Sequence, residues 1–161
     1  MDILEFAINM ELEGENYYIK QAELNKDNSL STVLLMLAKE EKMHAKLLQN
    51  KAAKLPYELK QSEALAEAKN IFSDVGAIQN SIKQIPDQLD VYRVALENEE
   101  KSITLYKKFS AEATDSETKT LFEYLIKQEE DHYAIINQLV FLISHSEEWV
   151  ESAEFGTREE Y

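Results

Sequence analysis

The sequence contains no cysteine. That excludes disulfides, thiolate catalysis, zinc–thiolate sites and iron–sulfur clusters from this chain. Glycine and proline are scarce, three and two in 161 residues, which argues for long helices rather than many short strands joined by turns. No apolar run approaches the roughly 18 residues that a membrane-spanning helix needs. The first residues, Met1-Asp2-Ile3-Leu4-Glu5, show no basic stretch leading into an apolar one, so no secretory signal is read there. A cytoplasmic location without a membrane partner follows as the expectation. Positive charge is also in deficit: 17 Lys and Arg stand against 31 Asp and Glu, a formal net charge of −14. Such a surface repels phosphate backbones and anionic membranes, so nucleic acid is not an expected partner. The same acidity serves solubility and attracts cations.

The rest of the composition is ordinary, with 44% hydrophobic and 30% charged residues. The length suits one domain, residues 1–161, with a sizeable core. Helical spacing begins almost at once, with Leu4, Ala7, Ile8, Tyr18 and Ala22 on one face, and breaks at Asn25-Lys26-Asp27-Asn28. Ser29 or Ser31 is placed to cap a second helix, which carries Leu34, Leu37, Leu48 and Ala52 and fades before Pro56. Residues from about 53 to 86 are less regular. Gln61 to Phe72 reads as a short helix and Val75-Gly76 as a break, within a long crossover. Pro86-Asp87 marks a new start with Asp87 as N-cap. A third long helix carries Tyr92, Ala95, Leu96, Tyr106 and Phe109. After a turn at Thr114-Asp115-Ser116, a fourth carries Phe122, Leu125, Ile136, Leu139 and Ile143. An acidic tail follows from about residue 146 to 161, with Trp149 and Phe155 as anchors. Two short turns and one long crossover describe an all-α, antiparallel four-helix bundle of the ferritin-like kind.

The two halves repeat. A shift of 88 residues lays Glu11 on Glu99, Tyr18 on Tyr106, and Leu37, Glu41 and His44 on Leu125, Glu129 and His132. The kept residues include six titratable side chains on stripes that should be apolar. Burying a lone carboxylate costs several kcal/mol in effective terms, roughly, so four facing one core need cations. Their heights agree. Glu11 lies 16 residues before the turn near residue 27, roughly 24 Å at about 1.5 Å per residue. Glu41 and His44 lie 14 and 17 residues beyond it, roughly 21 to 26 Å, and the second half repeats this. One Glu from each of two helices plus Glu-x-x-His from each of the other two is the recipe for a dinuclear carboxylate site. Here the pairs are Glu41-Lys42-Met43-His44 and Glu129-Glu130-Asp131-His132. Four carboxylates balance two divalent cations. The oxygen-and-imidazole mix fits iron or manganese, with zinc as an alternative, and does not suit calcium.

Other residues complete this reading. Gly14 and Ser102 sit one turn after Glu11 and Glu99, where small side chains either leave room for metal and a small oxygen species or let helices pack closely. Tyr18 and Tyr106 are placed to hydrogen-bond site carboxylates or to act as ordinary core tyrosines. Glu40, Glu97, Glu100 and Glu130 point roughly 100° away from the ligands beside them, which leaves them solvated or in reserve behind the site. His145, among Ser and Glu near the end of the fourth helix, reads as a surface residue.

The glutamate-then-tyrosine spacing in the first and third helices, together with both Glu-x-x-His motifs, resembles the rubrerythrin group of the ferritin-like superfamily over roughly residues 3 to 145. The tail from Trp149 to Phe155 is similar to that of short rubrerythrin-like proteins of unassigned role. The resemblance implies that Glu11, Glu41, His44, Glu99, Glu129 and His132 ligate two irons. It implies an oxidoreductase that reduces peroxide or oxygen as small-molecule oxidant, and commonly a homodimer; a domain-swapped arrangement of helices stays open. Relatives oxidise and store iron, so an iron-handling ferroxidase is the alternative, and a helical partner-binding bundle with a vestigial site is a third. Two departures stand out. Full-length rubrerythrins carry a four-cysteine rubredoxin-like iron site, and this chain has no cysteine, which implies a separate electron-donor protein. Rubrerythrins also place an extra glutamate, tied to movement of one iron in the peroxidase cycle, where this chain has Ser102.

Overall fold

The computed structural model describes residues 2–84 and 88–145. Six helices and no strand occur among them: α1 (Ile3–Leu24), α2 (Ser29–Ala52), α3 (Ala64–Ser73), α4 (Val75–Gln84), α5 (Leu89–Glu112) and α6 (Ser116–Ser144). The four long helices form the antiparallel bundle, and α3 and α4 lie in the crossover. None of the helices is long and apolar enough to cross a membrane.

Local chemistry sets the ends of the long helices. Asp2 caps α1 by accepting from the Glu5 N–H at 2.8 Å, and Asp115 caps α6 by accepting from the Thr118 N–H at 2.9 Å. The α2 cap is Asn28, not Ser29 or Ser31. Its side chain accepts from the N–H groups of Leu30 at 2.9 Å and Ser31 at 3.3 Å. Asp27 takes a left-handed φ of 69° and turns the chain one residue earlier than the serines suggest. At its other end α2 closes with Lys54 at a φ of 59°, the Leu55 N–H reaching the Asn50 carbonyl at 2.8 Å and the Lys54 N–H reaching Lys51 at 3.2 Å. This is a Schellman closure, here without glycine.

The crossover differs from the sequence reading in one element. Its first helix begins at Ala64, inside the expected span, but Val75-Gly76 is no break. The interruption is at Asp74, whose side chain accepts from the Ala77 N–H at 3.1 Å and so starts α4. Gly76 falls in the first turn of α4. Ala52 is exposed, while Leu4, Ile8, Leu96 and Ile143 are only partly buried. The expected cap Asp87, with Pro86, and the tail anchors Trp149 and Phe155 lie outside the described residues. The described α5 begins at Leu89 after Gln88, which makes no side-chain cap bond.

The core is in two parts. At the end holding the α1–α2 turn, Tyr18, Leu34, Leu37, Tyr92 and Ile136 pack together under α3 and α4. At the opposite end, Ala7, Leu48, Tyr106, Phe122 and Leu125 form a second apolar cluster. The six titratable residues singled out from the sequence lie on the helix stretches between the two clusters.

Candidate metal centre

Helical period brings each of these residues inward. Glu11 comes from α1, Glu41 and His44 from α2, Glu99 from α5, and Glu129 and His132 from α6. None is more than 4% exposed. Their side chains form two overlapping groups of four. Glu11, Glu41, His44 and Glu129 make one, and Glu41, Glu99, Glu129 and His132 make the other, each with its offered ligand atoms within 4.8 Å of one another. Glu41 and Glu129 belong to both. Each group therefore has a Glu and a His of its own and two carboxylates in common.

Both imidazoles turn Nδ1 toward the carboxylates. His44 Nδ1 lies 3.1 Å from Glu129 Oε1 and 3.4 Å from Glu11 Oε2. His132 Nδ1 lies 2.9 Å from Glu41 Oε1 and 3.5 Å from Glu129 Oε2. The two rings stack at 5.5 Å between centroids. Two tyrosines tie the halves together crosswise: Tyr18 Oη donates to Glu99 Oε1 at 2.5 Å, and Tyr106 Oη donates to Glu11 Oε1 at 2.5 Å. Each tyrosine thus serves the glutamate of the other half, not the one seven residues before it.

Electrostatics sort the cluster into charged and neutral members. Burial pushes the Glu41 carboxyl well above its ordinary value, and the charges of Glu11, Glu129 and Glu99 push the same way. Burial and Glu129 raise Glu99 to about 8. For Glu11 burial is outweighed by the His44 charge, which holds it at about 2. Glu129 also lies low, since hydrogen bonding from Glu99, His132 and His44 overcomes burial and the Glu11 charge. His44 rises to about 10, burial losing to the Glu11 charge, and His132 rises well above its ordinary value on bonding to four carboxylates. Burial and the neighbouring carboxylates keep both tyrosine hydroxyls protonated.

These residues fit a metal pair. Among the described residues Glu11 Oε2, Glu99 Oε2 and Glu129 Oε2 are fully buried and make no hydrogen bond, those of Glu11 and Glu129 meeting only imidazole nitrogens at 3.4 and 3.5 Å. Unpaired buried carboxylate oxygens are costly unless a cation takes them. The donor set of four carboxylates and two imidazoles is hard to borderline, suited to divalent first-row metals. Space is available as well. A cavity of about 270 Å³ between α1 and α5 reaches Glu41 and Glu99 past Gly14 and Ser102. A Cβ on Gly14 would lie 2.9 Å from Glu41 Oε2, so any larger residue there would push that carboxylate aside.

The rubrerythrin family model matches residues 2–140. The chain belongs to the rubrerythrin family. No curated protein and no solved structure matches it.

Of the flanking acids, Glu97, Glu100 and Glu130 are exposed, but Glu40 is not. Its Oε1 lies 2.8 Å from His132 Nε2, and its other oxygen accepts from the Ser62 hydroxyl of the crossover. Of the two roles open to it, the structure gives Glu40 the one behind the site. His145 is half-buried at the end of α6, its ring 4.2 Å from that of Phe141.

Proposed function

We propose that this rubrerythrin-family chain holds two iron ions between Glu11, Glu41, His44, Glu99, Glu129 and His132. It uses them to reduce peroxide or oxygen with electrons from a separate donor protein. The observation that carries this reading is the pair of overlapping four-residue groups that share Glu41 and Glu129. Carboxylates common to both groups would keep two cations close together, as two-metal chemistry, at about 3.5–4 Å, requires. When bound, two ferrous ions supply two electrons together to one O–O bond, and with two protons hydrogen peroxide becomes two waters.

The protein's own part is positioning and exclusion. Tyr18 and Tyr106 hold Glu99 and Glu11 by hydrogen bonds, and their raised hydroxyls keep those protons. The apolar clusters above and below shut bulk water from the ends of the site. Gly14 and Ser102 leave the α1–α5 side open to a small oxidant. Manganese or zinc satisfies the same donors, and iron is favoured by the family.

A second reading, an iron-binding or ferroxidase-type protein without peroxidase turnover, draws on Ser102. That residue leaves the set at four carboxylates, with no further acid on the α1–α5 cavity wall beyond Glu13, Glu41 and Glu99. The test is elemental analysis of protein prepared without chelators, followed by anaerobic ferrous loading and addition of peroxide under a reductant. Two irons per chain and reductant-dependent turnover support the first reading. Two irons oxidised once, without turnover, support the second. A chain that takes up no iron, manganese or zinc refutes both.

A further inference from the structure

The repeat that builds the site is broken beside it. Glu40 precedes the α2 ligand pair, and the residue 88 positions later is Gln128, not an acid. Both side chains point inward: Glu40 is mostly covered, 13% exposed, and Gln128 is buried. Glu40 reaches across to the other half, where its Oε1 lies 2.8 Å from His132 Nε2. An ionised carboxylate only accepts, so Nε2 keeps an N–H toward Glu40 even when Nδ1, which faces the cluster, gives up its own. Ser62 donates to the second Glu40 oxygen and its own Oγ accepts from the Ala64 N–H at 3.0 Å, so the start of α3 fixes the acid in place. Among the described residues His44 has no such support: its ion pairs run through Nδ1 alone, and the cavity beyond it, about 300 Å³, is shared by Gln128 and by Glu40, whose bond goes to His132.

A carboxylate on the far nitrogen fixes the orientation of a ligating imidazole and makes it a stronger donor. From this asymmetry we infer that Glu40 is a positioning residue that makes the two metal positions unequal. The Glu99–His132 position binds a divalent cation more tightly than the Glu11–His44 position. The inference rests on the metal-site reading above and adds which position fills first, and why.

Equilibrium titration of the whole metal-free chain with Mn²⁺ or Zn²⁺ tests it. The wild type is expected to bind two ions in two resolved steps. Glu40→Gln, which keeps shape and removes charge, should weaken the tighter step by about 10- to 100-fold and leave the other within about twofold. Gln128→Glu should tighten the weaker step, and the two changes together should reverse the order. Nitrogen-15 spectra of the zinc-loaded protein should show a strongly hydrogen-bonded Nε2–H on His132 that Glu40→Gln weakens, a signature general loss of structure would not give selectively. Two equal steps in the wild type, or a Glu40→Gln chain that keeps both constants, would overturn this inference alone. A wild type that binds no ion overturns the metal reading together with it.

Discussion

Metal uptake by this chain should be an exchange of cations for protons, close to four protons for two metals. With Glu41 raised well above its ordinary value and Glu99 raised to about 8, the metal-free cluster is expected to hold a proton on each at pH 7. It also carries imidazolium charges on His44, raised to about 10, and on His132. Glu11, held at about 2, and Glu129, also lowered, are ionised. Two negative charges then face two positive ones, and the six side chains together are neutral, with ionised Glu40 behind His132 outside that count. Ligation needs all four carboxylates ionised and both imidazoles with a free Nδ1, so four protons leave as two divalent cations enter. The cluster is neutral again. A four-proton exchange makes the overall binding constant rise about 10⁴-fold per pH unit, about 5.4 kcal/mol, until Glu99 begins to lose its own proton near pH 8. Calorimetric titration with Zn²⁺ at pH 7, in buffers of different ionisation enthalpy, reads the number directly as the slope of observed against buffer enthalpy. A slope near four per two metals is expected. A slope of two or less would show that Glu41 and Glu99 are already ionised in the metal-free chain, and the account of a self-neutralised site would fail.

The same groups set the pH dependence of the metal-free fold. Contributions from Glu41, Glu99 and His44, all raised, are complete below their ordinary values of 4.5 and 6.5 and are lost as pH climbs toward 8 and 10. That from Glu11 is lost as pH falls from 4.5 toward 2. Denaturant melts should therefore find metal-free protein most stable near pH 5–6 and weakening above it, with metal-loaded protein resisting that alkaline loss. Gly14→Ala gains about 1 kcal/mol of helix propensity, but its Cβ must displace the buried Glu41 carboxylate, so the metal-free melting temperature should change little. It should weaken metal binding at least about tenfold, because the new Cβ sits 2.9 Å from Glu41 Oε2; a lower melting temperature with unchanged affinity would refute this. Tyr106→Phe strips the one hydrogen-bond donor that Glu11 Oε1 has among the described residues and should cost the metal-free chain about 1–3 kcal/mol in urea unfolding. Glu41→Ala should weaken both metal steps in the titration, since Glu41 belongs to both groups, whereas Glu11→Ala should weaken one.

What the sequence discloses here is what interrupts a pattern. Glu11, Glu41, His44, Glu99, Glu129 and His132 break apolar stripes, and a buried acid on such a stripe demands a reason that a surface acid does not. Glu40 breaks no stripe. One residue before a ligand, it turns about 100° away on its own helix, and only the approach of α6 shows that His132 lies in that direction. The tyrosine spacing was readable, but the partner of each hydroxyl lies in the other half, which local periodicity cannot register. In the crossover, α4 hid behind Gly76 because a glycine in a first turn resembles a terminator until Asp74 is seen to cap it. A sharper signal was available in the exceptions to the repeat. Two of the pairs it fails to keep, Gly14 with Ser102 and Glu40 with Gln128, flank the site on opposite sides. The kept residues supply the donors on which the proposed pair of cations depends. The broken pairs make the two positions differ, one pair by the space it leaves beside Glu41 and Glu99, the other by the charge it places behind His132 alone.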